Sequence, residues 1–148
     1  MTCTVSAQAI PDSALHWVYK THTDEMSGES GYSAIVVSPD TPPMSDGNNM
    51  VSLVFYIKGK MMFSLLSFLK GMIPPSTTTV EVKFDDGPVE YFACESNSDK
   101  LNSLVLTSSK VILKRLEASH KMMIRVPFYQ EESKIFHFNI EGFKLPGT

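Results

Sequence analysis

Apolar and polar residues alternate along most of this chain with a period of two, the signature of strands with one buried face. The two clearest runs lie near the end. In KMMIRVPF, Met122, Ile124, Val126 and Phe128 point one way and Lys121, Met123 and Arg125 the other. In KIFHFNIEGF, Phe136, Phe138 and Ile140 alternate with Ile135, His137 and Asn139. The same reading predicts strands over 14–20 (Leu15, Trp17 and Tyr19 on one face), 33–38, 51–57, 61–67, 78–84, 89–94 and 103–106, with 121–128 and 134–141 completing the set. Lys58-Gly59-Lys60 reads as a tight turn, and Asp85-Asp86-Gly87-Pro88 as the tip of a hairpin, because Asp and Gly tolerate left-handed backbone.

One segment breaks the pattern. SSKVILKRLEAS, residues 108–119, opens with serines suited to an N-cap, and Ile112, Leu113 and Leu116 then recur at helical spacing with Lys110, Lys114, Arg115 and Glu117 towards water. The segments 21–32 and 39–50 are rich in Gly, Ser, Asp, Pro and Asn and read as long loops. These elements predict an all-β, mainly antiparallel fold, a β-sandwich of about nine strands with one short crossing helix; a flattened barrel is the alternative. Residues 14–148 form a single sandwich domain in this reading, and 1–13 a flexible amino terminus or the remnant of a leader, since Ser6-Ala7-Gln8-Ala9 has the small residues of a leader's end without its basic and apolar regions.

Composition narrows the function classes. Thirteen basic and sixteen acidic residues give a net charge of −3, which offers no general attraction to nucleic acid or anionic lipid. The longest apolar stretch, residues 61–73, is too short to span a bilayer and is interrupted by Lys70 and Gly71. Two cysteines, Cys3 and Cys94, are too few for a disulfide scaffold, and the bland reading has one buried and one free thiol.

Candidate chemistry is sparse. Asp85 and Asp86 are adjacent carboxylates, but at a hairpin tip they read as a solvated turn of ordinary acidity. No further oxygen ligands follow at calcium-loop spacing. His16, His22, His120 and His137 form no pair at metal-ligand spacing on one strand or helix. No GxSxG elbow and no phosphate-binding glycine loop is present. The reading therefore assigns no catalytic residue, metal or cofactor. The candidate partner-binding residues are Tyr32 and Tyr56, the aromatics expected to be exposed, and the basic residues Lys110, Lys114 and Arg115, with Lys121 nearby.

Trp17-Val18-Tyr19, Asp24-Glu25-Met26, Val82-Lys83-Phe84-Asp85-Asp86-Gly87, a helix with Leu116, Phe128-Tyr129 and Phe136-His137-Phe138-Asn139-Ile140-Glu141-Gly142-Phe143 follow one another in order. This layout resembles a loose group of small bacterial and phage proteins, and distantly the type VI secretion-associated VasI and invasion-associated locus B proteins. The resemblance runs from about residue 15 to 143 and implies a non-catalytic β-sandwich that acts by binding another protein, in the envelope or a secretion system. The alternatives are a phage-encoded cytoplasmic inhibitor of a host protein and, from another class, a hydrolase built on Cys94 or a histidine. The resemblance supplies no catalytic residues.

Overall fold

The computed structural model describes residues 12–45, 47–96 and 102–144. A 3-10 helix at Asp12–Leu15 leads into β1 (Val18–Thr23), β2 (Ser30–Val37), β3 (Pro43–Met44), β4 (Gly47–Asn48), β5 (Val51–Lys58) and β6 (Met61–Phe68). There follow β7 (Thr79–Phe84), β8 (Val89–Ser96), β9 (Ser103–Leu106), α1 (Ser109–Ala118), β10 (Lys121–Phe128) and β11 (Glu131–Asn139). Nine strands form one antiparallel sheet in the order β1-β2-β5-β6-β9-β8-β7-β10-β11, while β3 and β4 make a separate two-residue hairpin.

The sheet folds over at the β8–β9 pairing, where Cys94 lies opposite Leu106 and Ser96 opposite Leu104. The inward residues of its two halves then share one core. Phe68 on β6 meets Phe128 and Phe136 of the β10–β11 hairpin, with ring centroids 5.3 and 6.5 Å apart, and Phe55 on β5 meets Phe143 at 5.7 Å. These edge-on and tilted contacts join segments far apart in sequence, as in a sandwich whose inner faces interdigitate. Inward alternation places Val80, Val82 and Phe84 on β7, Met122, Ile124 and Val126 on β10, and Phe136 and Phe138 on β11, all buried.

Turn chemistry fixes the register. Gly59 at φ +58° closes the two-residue β5–β6 turn, a conformation that costs other residues strain. Gly71, at φ +83°, lies where a Cβ would come within 2.7 Å of the Phe128 ring and 2.8 Å of Met44, so the 69–78 connection packs closely only with glycine there.

The helix crosses from β9 to β10 as expected and covers the core with one face. Ile112 and Leu116 belong to the shared core, Leu113 packs against it, and Ser109 Oγ lies 3.4 Å from inward-facing Ser64 Oγ. Lys114 faces water.

Three expectations are corrected. The first strand begins at Val18, not residue 14: Leu15 lies in the 3-10 helix, and Trp17 is only half-buried. Its indole N–H donates to the Ile140 carbonyl at 3.0 Å and its ring sits edge-on to Phe143, so it closes the seam between the start of β1 and the end of the chain. The segment 21–32 is mostly the β1–β2 hairpin, with Asp24 capping a short turn through a 2.8 Å bond from the Met26 N–H. The loop 39–50 carries β3 and β4. Residues 1–11 of the expected flexible terminus, Cys3 among them, lie outside the described residues.

Candidate functional site

The outward face of the β1-β2-β5-β6-β9 half carries an apolar stripe. Strand register sets Val18 opposite Ile35, Ile35 opposite Val54, Val54 opposite Leu65, and Leu65 opposite Val105. Their immediate neighbours Ala34, Val36, Leu53, Phe55, Leu66, Leu104 and Leu106 are the inward, buried set, so alternation turns all five stripe residues outward. The row ends at Glu95 on β8, opposite Val105. Beside it runs Lys20, Ser33, Tyr56 and Phe63, in which the two rings stack 5.0 Å apart. On the other side lie Val37, Ser52, Ser67 and Ser103. Five aliphatic side chains abreast shield one another, which leaves four of them half-buried and only Val18 exposed. Among the described residues, α1 turns Ile112 and Leu116 into the core, and the 3-10 helix lies beside β2 with Leu15 lining a separate groove.

The outward face of the β8-β7-β10-β11 half is built differently. Its rows are Val89, Lys83, Met123, His137 and Tyr91, Glu81, Arg125, Ile135, each interleaving charge with apolar residues. The Arg125 guanidinium donates to Glu81 at 2.7 Å across the middle. Tyr91 is 69% exposed and Val89 53%. Scattered apolar side chains held apart by an ion pair are an ordinary solvated face; a continuous uncharged stripe is not.

A third feature is a groove of about 670 Å³ beside β10 and β11. It gathers His16, His120, His137, Asp85, Asp86 and Glu141 from four separate segments, a convergence that no local spacing signals. Its polar groups are largely committed to one another. Asp40 accepts a 2.7 Å bond from the His137 backbone N–H and lies 2.7 Å from the ring's Nδ1, and His120 Nε2 is 3.8 Å from Glu141. Asp85, at φ +51°, accepts backbone N–H bonds from His120 and Lys121, both at 2.9 Å. Those two bonds, His120's first, hold its carboxyl below the usual carboxylate value. The expected ordinary acidity of this turn is therefore corrected for Asp85: the carboxylate latches the β7–β8 tip to the start of β10. Among the described residues, no group of three or more His, Cys, Asp and Glu side chains could hold a metal ion.

The predicted partner-binding residues do not converge. Tyr56 flanks the stripe. Tyr32 lies on the inward side of β2, opposite Ile57, and both tyrosines are half-buried instead of exposed, because each packs beside a neighbouring strand. Lys110 and Lys114 are exposed on α1, away from the stripe. Arg115 is not part of a free basic face: it pairs with Glu90 and its guanidinium lies 5.3 Å from the Phe84 ring centroid. Cys94 is buried, and desolvation, with Glu95 adjacent, pushes its thiol up to about 11, so at neutral pH it is a protonated core group and a poor nucleophile.

No helix among the described residues is long and apolar enough to cross a membrane. Comparison with protein-family models, curated proteins and solved structures gives no match.

Proposed function

We propose that this chain is a non-catalytic β-sandwich module that acts by binding another protein, and that the contact is made by the outward face of the β1-β2-β5-β6-β9 half. The observation that carries the reading is the uninterrupted Val18-Ile35-Val54-Leu65-Val105 stripe with the Tyr56–Phe63 ring pair on its flank. A half-buried apolar stripe of this continuity, bordered by Ser52 and Ser67 and by Lys20, Lys58 and Glu95, has the composition of an interface core with a polar rim. It keeps Tyr56, which stands where an aromatic anchor would meet a partner.

Affinity capture from the native source tests this, with the wild-type chain beside a Val54→Glu/Leu65→Glu variant and an Arg125→Ala variant of the opposite face. Partners retained by wild type and Arg125→Ala but lost from the stripe variant, with all three equally folded, are the expected result. Equal retention by all three would refute the assignment of this face.

A further inference from the structure

We infer that the occupant of the stripe is a second copy of this chain, packed sheet on sheet about a two-fold axis parallel to the strands; this rests on the reading that the stripe is a contact face. Two features of the face single out a copy of itself. The first is charge. Among the described residues, the ionised groups nearest its two ends have opposite sign: Lys20 on β1, two residues from Val18, and Glu95 on β8, beyond Val105. A two-fold axis running between β5 and β6 exchanges those ends. It sets Val54 over Leu65, Ile35 over Val105 and Val18 over Glu95 of the second copy, and places each Lys20 one row along β1 from the other copy's Glu95. The apolar residues meet in unlike pairs, and no like charges meet.

The second feature is size. Five strands about 4.8 Å apart and three rows about 6.8 Å apart make a footprint of about 24 by 20 Å, so covering it on two copies removes at most roughly 1,000 Å² from water, the lower bound for a specific interface. Aligned sheets packing about 10 Å apart is an established way of burying two such faces. The contact is therefore adequate for a reversible dimer and small for an obligate one.

Sedimentation velocity of the full chain from about 1 to 200 μM tests the inference. The expected result is a concentration-dependent shift from one 16.5 kDa chain towards twice that mass. Val54→Glu should hold the protein monomeric with an unchanged melting temperature. Lys20→Glu should weaken association at least tenfold, and Lys20→Glu combined with Glu95→Lys should restore it. A wild-type chain that stays monomeric at 200 μM overturns the inference. If such a monomer still loses a different captured protein on Val54→Glu, the contact face stands and only the second copy is wrong. If Val54→Glu changes neither association nor capture, both are wrong. A dimer that Val54→Glu leaves intact, or whose charge reversal is not rescued, also overturns it.

Discussion

Replacing Phe136 by alanine probes the seam between the two halves. Its ring is fully buried and meets Phe68 at 6.5 Å and Phe128 at 6.3 Å, so it joins β11 to β6 as well as to its own hairpin. A ring that buries roughly 150–250 Å², at about 25 cal/mol per Å², contributes roughly 4–6 kcal/mol at most. Core Phe→Ala changes cost about 3–5 kcal/mol once partial relaxation is included. Ile135, the preceding residue, points to the other face and is 39% exposed, so Ile135→Ala should cost about 1 kcal/mol or less. Urea unfolding followed by tryptophan fluorescence separates the two. With m near ~2 kcal/mol/M, Phe136→Ala should lower the midpoint by about 1.5–2.5 M and Ile135→Ala by less than about 0.5 M. Equal losses, or a larger loss for Ile135→Ala, would refute the register, because a one-residue slip exchanges the faces of the whole strand.

Three further outcomes are expected. Leu116→Asp should unfold the domain by placing an unpaired charge in the core beside Ile112, while Lys114→Glu should leave the melting temperature within about 2 °C; equal tolerance would mean that α1 is not packed as described. Asp85→Asn should lower stability at neutral pH, and the gap from wild type should close on acidification. The sign follows from a folded-state value below the unfolded 3.8: the contribution is present above the unfolded value and is lost as pH falls through the lowered folded value; a gap that widens in acid would contradict the latch. In a Cys3→Ser background, Cys94 should react with a maleimide at pH 7 only as fast as the chain opens, and rapid labelling of the native protein would contradict its burial and raised thiol.

What the sequence discloses depends on how far apart the relevant residues lie. The β10–β11 hairpin was legible because its partners are adjacent and one face is apolar, and Leu113 and Leu116 gave away α1, since a strand would have pointed them oppositely. Strand β1 was harder. Val18–Thr23 is exposed at every position and so lacks an apolar alternation; its pairing with β2 identifies it as a strand. Leu15 and Trp17 alternate like strand residues, yet the turn at Asp12–Leu15 breaks the extended backbone between them. The stripe was concealed for a different reason. It assembles one residue from each of five strands between positions 18 and 105, and neighbours in it lie at least 11 residues apart in sequence, far outside the two-residue period of a strand. Its trace is that β2, β5 and β6 are apolar on both faces, in AIVV, VSLVFYI and SLLSF. Such runs read as deeply buried strands, whereas here they mark a face left uncovered by the described elements. The latch at Asp85 escaped notice because its donors come 35 and 36 residues later.

The central claim, that the chain works through the outward face of its β1-β2-β5-β6-β9 half, is tested most directly by site-specific photo-crosslinking in the cell that makes it. A photoreactive phenylalanine analogue at Val54, in the middle of the stripe, is compared with the same group at Met123, in the middle of the opposite face. The account predicts discrete protein adducts from Val54 and none above background from Met123. Adducts from Met123 alone, or none from Val54 in a folded chain, would contradict it.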